Sequence, residues 1–195
     1  MPPVRTYHHG NLRVTLLAHA ERVLAEGGEL SLRELARRAG VSHAAPRRHF
    51  ADKQQLLDEL ALDGFRRLGT HLSAALDEAS YDERMLAWAR AYVRFASEHR
   101  ALLDLMFAGK HRSAAMGEAA NQAFASAFAL FREGQESGEI IAGDLERIAT
   151  PALATFHGLA ELINAGMLRA EDLDVLVADA TERLALGLRP RSVGG

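Results

Sequence analysis

Apolar residues recur along this chain at three- and four-residue steps, the spacing of a helix with one buried face. From Leu12, the series Leu16, Leu17, Ala20, Val23 and Leu24 predicts a first helix that stops at Gly27-Gly28, a natural helix end. Ser31 followed by Glu34 reads as a capping box for a short second helix carrying Leu32, Leu35 and Ala36 and ending at Gly40. Gly40-Val41-Ser42 is a tight turn, with Ser42 placed to cap a third helix over His43 to Phe50. A long helix from Asp52 to about Ala79 keeps Leu56, Leu57, Leu60, Phe65, Leu68, Leu72 and Leu76 on one side. Further helices are expected over Asp82–Glu98, Arg100–Phe107, Ser113–Ser137, Asp144–Asn164 and Glu171–Leu188, separated by turn signals. The expectation is an all-α protein of about nine helices.

Composition agrees with that pattern. Of 195 residues 48% are apolar, five are Pro and none is Cys, so disulfides and thiolate metal sites are excluded and an oxidising compartment is not required. There is no apolar run long enough for a membrane span, and Met1 to Gly10 lacks the apolar stretch of a signal peptide, which makes the cytoplasm the expected location. The formal net charge is -3. Its distribution is uneven: residues 1–70 hold 11 Lys and Arg against 8 Asp and Glu, whereas residues 71–195 hold 12 against 18. A local contact with a polyanion depends on where the cations sit and tolerates an acidic whole.

Two short helices joined by a Gly-containing turn form a helix-turn-helix, whose second helix presents short or polar residues to DNA base edges with cations beside it. Ser42, His43, Ala44, Ala45, Arg47, Arg48 and His49 meet that demand; Lys53 opens the next helix, and Arg33 and Arg37 flank from the second. The competing interpretation is a plain helical hairpin with solvated Arg. Pro46 falls where the first intrahelical N–H would donate and also restricts Ala45, so a loose start is expected for this helix. His8 and His9 form a weak metal signal and read better as an arm reaching towards DNA. Neither a metal nor a cofactor is expected, and no catalytic or nucleotide-binding constellation is found.

In the carboxy-terminal region Met85, Trp88, Tyr92, Phe95, Met106, Phe107, Phe124, Phe128 and Phe156 recur at mostly helical spacing, with His157 beside the last. They suit either simple core packing or an adaptable apolar pocket. His157 reads first as a satisfied core histidine and second as a ligand contact. Gly158 suggests close approach of another helix or a ligand, and Pro151 a kink or a helix start with Thr150 as local cap. On the last two helices, Leu153, Leu159, Leu162, Ile163, Leu173, Leu176, Val177, Ala180 and Leu184 make broad apolar faces that imply a partner.

The sequence Ser31-Leu32-Arg33-Glu34-Leu35-Ala36 … Ala39-Gly40-Val41-Ser42 … His49-Phe50 … Lys53 … Leu56-Leu57 resembles the DNA-binding unit of the TetR family of bacterial transcription regulators. Tyr7-His8-His9-Gly10-Asn11-Leu12-Arg13 and Ala44-Ala45-Pro46 look like the branch with a Trp-His-Gly signature, met here by Phe156-His157-Gly158. There are two departures. Arg47 stands where the family usually has a Tyr on the DNA backbone, and Phe156 for Trp removes an indole N–H. The resemblance implies a DNA-binding domain over 1–52 and an effector-binding and dimerisation domain over 53–195. It further implies a homodimer joined by the last two helices, a palindromic double-stranded DNA operator, and release by a small apolar or amphipathic effector, most simply as a repressor. Two other readings stay open: a regulator with a closed core and no effector, and a helical small-molecule-binding module whose DNA binding is lost or non-specific.

Overall fold

The computed structural model describes residues 9–77 and 80–190, with side chains from Leu12 onward. Among these residues there are nine α-helices and no strand: α1 (His9–Ala25), α2 (Leu32–Arg38), α3 (Lys53–Ala74), α4 (Tyr81–Glu98), α5 (Arg100–Gly109), α6 (Ala114–Ala123), α7 (Ala125–Ser137), α8 (Leu145–Asn164) and α9 (Leu173–Leu188). Short 3-10 turns cover Pro46–Arg48 and Ala170–Asp172. Among the described residues no helix is long and apolar enough to cross a membrane. Of the arm expected from His8 and His9, His8 lies outside the described residues, and His9 is the first residue of α1, so the arm does not extend that far.

The chain divides into two compact units. The first runs to Gly64 and takes in Ala101–Met116; the second holds Phe65–Arg100 and the chain from Gly117 onward. In the first, the apolar stripe of α1 is buried as its spacing requires, Leu16, Ala20 and Val23 being essentially inaccessible together with Leu35, Ala36, Phe50 and Leu56. Gly27 and Gly40 hold φ of +67° and +66°, the left-handed backbone that lets α1 and α2 stop and turn. Gly64 of α3 lies against α5: a Cβ there would stand 2.6 Å from Sδ of Met106. In the second unit α4 packs on α7, α8 and α9, and α8 packs on α7 and α9. Ser80 Oγ accepts from Glu83 N at 3.2 Å while the Glu83 carboxylate accepts from Ser80 N at 3.0 Å, so the reciprocal capping box sits at the start of α4. At α2 only half of the expected box forms. Ser31 Oγ accepts from Glu34 N, but the Glu34 carboxylate takes Arg37 and Arg38 instead.

Nine is the number expected from the sequence, although two elements differ. The helix expected over Ser113–Ser137 is broken at Phe124 (φ -97°, ψ 3°), next to Ala123, whose Cα would lie 3.1 Å from a Cβ on Gly69 of α3. The helix expected over His43–Phe50 is a chain of turns ending in the 3-10 turn. Pro46 has no N–H to give the Ser42 carbonyl, which accepts from Ala45 N at 3.0 Å instead, and Arg48 N donates to Ala45 O at 3.2 Å. Ser42 therefore serves this segment through its carbonyl and not as a side-chain cap. In α8 the start is at Leu145, with Asp144 Oδ1 accepting from Arg147 N at 3.0 Å, so Pro151 lies inside the helix and Thr150 is no cap; its Oγ1 donates to Glu146 O at 2.7 Å.

Candidate DNA interface and ligand cavity

The residues expected to meet DNA lie on one stretch of the first unit, from α2 through the turn into the start of α3. Arg33, Ser42, His43, Ala44, Arg47, Arg48 and Lys53 are exposed, while Ala45 and His49 are half-buried. The segment is anchored from beneath by Pro46 and Phe50, both buried, and Phe50 N donates to Pro46 O at 2.9 Å. His49 lies against Phe50 with ring centroids 6.4 Å apart. A buried apolar pair thus fixes a short segment whose remaining side chains are exposed or half-buried.

The cations here fall into two groups. Arg37 donates to both oxygens of Glu34, Nε at 2.8 Å and Nη2 at 2.7 Å, and Arg38 bridges Glu34 and Glu26 at 2.9 Å each. These bonds, first from Arg37 and then from Arg38, pull the Glu34 carboxyl down to about 2. Arg33, Arg47, Arg48 and Lys53 have no acidic partner among the described residues. At the start of α3, Asp52 Oδ1 accepts from Gln55 N at 2.8 Å, which occupies one of the N–H groups a phosphate could have used. Sequence reasoning named these four cations as candidates but could not tell them from Arg37, because the Glu34 side-chain direction is not a matter of spacing.

The second unit contains a cavity of about 230 Å³ between the start of α4, the end of α7, the middle of α8 and the end of α9. Met85, Leu86, Phe131, Ile140, Ala152, Phe156, Leu184 and Leu188 form apolar wall, and Tyr81, Asp82, Thr181, Glu139, Glu182 and Arg189 add polar groups. Of the residues expected to line a pocket, Met85 and Phe156 do so. Trp88 and Tyr92 stack at 5.6 Å with an interplanar angle of 3°, and Phe156 and Phe124 lean on them. His157 completes this group: half-buried, its Nδ1 lies 3.1 Å from Tyr92 Oη, a hydrogen-bond partner within the chain. Burial raises the Tyr92 phenol above its ordinary range. Phe95 packs between His71 and His99, Phe128 is half-buried on α7, and Met106 and Phe107 belong to the other unit.

Sequence reasoning missed Tyr81, Asp82, Glu139, Glu182 and Arg189. Tyr81, Asp82 and Arg189 sit at helix ends, Glu139 on a loop and Glu182 on the exposed side of α9, all outside the apolar periods read from the sequence. Tyr81 Oη is buried without a hydrogen-bond partner, and burial together with the nearby carboxylates of Asp82, Glu133 and Glu139 pushes it up to about 12.

On α8 and α9 the expected partner face is divided. Ile163 and Val177 are buried within this chain, Leu153, Leu159, Leu173, Leu176, Ala180 and Leu184 are half-buried, and Leu162 is exposed. Met167, Val175 and Leu186 are the more exposed large apolar side chains, at 73%, 65% and 61%. A Cβ on Gly158 would meet nothing within 4 Å, so no described element of this chain approaches it.

Residues 16–60 match the family model for bacterial regulatory proteins of the tetR family, and residues 85–184 match that for the tetracyclin repressor-like C-terminal domain. A protein of unknown function from Rhodococcus sp. RHA1 is 45% identical, with 96% of this chain and all of that one covered and a TM-score of 0.88. The TetR-family regulator PfmR from Thermus thermophilus shares 21% identity over 90% of this chain and 99% of its own, with a TM-score of 0.71. FadR from Bacillus subtilis, in complex with stearoyl-CoA, shares 17% over 90% and 99%, also at 0.71; at these identities the likeness is one of fold. No curated protein matches the chain. The outward-facing turn of the first unit and most of the helical second unit are each covered by one of these family models, and the chain belongs to the TetR family of bacterial transcription regulators.

Proposed function

We propose that this regulator is a homodimeric repressor that holds a palindromic operator until a small apolar or amphipathic effector stabilises a conformation whose two recognition segments no longer fit. The observation that carries the reading is the set of cations Arg33, Arg47, Arg48 and Lys53 around the turn of residues 42–49, without an acidic partner among the described residues, next to Arg37 and Arg38, which Glu34 already engages. In this reading residues 1–52 carry DNA binding, with Ser42, His43, Ala44, Ala45 and His49 nearest the bases and Arg33, Arg47 and Arg48 on phosphates, joined by Lys53 just beyond this segment at the start of α3. Residues 53–195 carry effector binding and dimerisation, the exposed apolar positions of α8 and α9 meeting their copies across a two-fold axis. Release is a population shift, driven by the differential affinity of the effector for the two spacings. The work is that of a binding protein, with no catalytic step.

The test is the salt dependence of operator binding. Arg48→Ala and Lys53→Ala each lower affinity and reduce the slope of log K against log salt by about one unit, while the dimer persists. Unchanged affinity and slope in both variants contradict the reading. One observation favours a second reading, a helical small-molecule-binding protein without specific DNA binding: the recognition segment holds a single 3-10 turn where a full helix is expected. That reading gives either no DNA affinity or a salt-dependent one that does not distinguish sequences.

A further inference from the structure

The cavity of the second unit is apolar in depth and acidic at its rim. Met85, Phe131, Ile140 and Phe156 of its wall are buried. At the rim, Asp82, Glu139 and Glu182 face a single guanidinium, that of Arg189, which is held by Asp82 at 3.0 Å. Glu139 and Glu182 have no cationic partner among the described residues, so the rim carries a formal excess of two negative charges. Tyr81 adds a buried oxygen with no hydrogen-bond partner in the same lining.

Charge and size together select a ligand. A carboxylate or phosphate would be repelled by the two free carboxylates, and Arg189, the one cation of the described lining, is already paired. A neutral amphipath would fill the wall and leave the rim unused. A cation with a short apolar body fills the wall and brings its charge to Glu139 and Glu182, beside the Tyr81 ring in the same lining. The cavity volume is about 230 Å³. That is below the ~300–1,000 Å³ of drug-sized sites, so the body is short.

We infer that the effector of this regulator is a small lipophilic cation, an amine or quaternary ammonium with a short alkyl or aromatic body, seated between α4, α7, α8 and α9 with its charge at Glu139 and Glu182. The inference rests on the regulator reading for the word effector, and on the cavity alone for binding. Because the cation also competes with Arg189 for Asp82, its arrival loosens the tie between the end of α9 and the start of α4.

The experiment titrates the purified full chain by calorimetry with octyltrimethylammonium, 1-octanol and octanoate, three probes with one tail and three head charges. The cation binds about tenfold or more tighter than the alcohol, octanoate binds weakest, and raising salt narrows the gap. In the Glu139→Gln/Glu182→Gln double variant the cation loses about tenfold and 1-octanol keeps its affinity. Equal binding of the three probes, preference for octanoate, no binding of the cation, or an unchanged preference in the double variant overturns the inference. The same preparation is titrated with operator DNA in the absence of probe: failure there speaks against the regulator reading, while the calorimetric ranking still decides the ligand class.

Discussion

Arg37 grips Glu34 through two parallel hydrogen bonds, Nε at 2.8 Å and Nη2 at 2.7 Å, within a single turn of α2. The pair shares its carboxylate with Arg38. Two of the three arginines of α2 are thus already neutralised by their own chain, and Arg33 is not. Arg33→Ala is expected to weaken operator binding and flatten its salt slope by about one unit, whereas Arg38→Ala changes the slope little. Binding isotherms at several salt concentrations separate the two outcomes.

The same carboxylate gives a pH dependence with a definite sign. Glu34 titrates near 2 when folded, against 4.5 as its reference value, so the unfolded chain binds a proton first as pH falls. The stabilisation is fully present above about 4.5 and is lost as pH drops from there towards 2. Glu26, Glu83 and Glu133 are lowered in the same direction by Arg38, Ser80 and Arg84. Melting temperature is expected to hold steady from about pH 7 to about 5 and fall below that, and Glu34→Gln to melt lower at neutral pH with a shallower fall in acid. A variant curve parallel to that of the parent contradicts the assignment.

Gly134 leaves no room for a side chain, because a Cβ there would lie 2.5 Å from Tyr81 Oη and 2.6 Å from its Cζ. Gly134→Ala has to displace the Tyr81 ring, at a cost of about 1–3 kcal/mol, more than the helix propensity gained. Since Tyr81 lines the cavity, the same substitution alters cation affinity. Urea unfolding and the octyltrimethylammonium titration read the two effects.

Leu162, Val175 and Leu186 are exposed large apolar side chains on α8 and α9, and the chain leaves open space at Gly158. If these meet a second copy, Leu162→Arg with Val175→Arg gives a monomer by sedimentation, with operator affinity falling by orders of magnitude since one half-site remains. Ile163 and Val177, buried within their own chain, behave differently: truncating Val177 to Ala removes two buried carbons, costs about 1.5–3 kcal/mol of stability and leaves association intact.

The helices of the first unit were legible because Leu16, Ala20 and Val23 keep a strict apolar period and Gly27 and Gly40 mark the ends with backbone only glycine adopts cheaply. The recognition segment was misjudged in kind. Pro46 was visible, but whether the chain answers it with a loose helix or with successive turns depends on how Pro46 and Phe50 bury together, which is a matter of packing. Large side chains at helical spacing located the core more than the cavity: Trp88, Tyr92, Phe124 and His157 close on each other, and the space opens beside Tyr81 and Ile140, where Met85 and Phe156 of the expected residues reach it. Periodicity reports which face is buried and is silent on where burial is incomplete.

The central claim, sequence-specific DNA reading by the turn of residues 42–49, is tested most directly by selecting fragments from a random DNA pool with the purified protein and measuring isotherms at several salt concentrations on those that emerge. A palindrome bound with a steep salt slope, which Arg48→Ala makes shallower, is the expected result. A pool with no sequence enriched over non-specific binding contradicts the claim and leaves the cavity of the second unit as the seat of function.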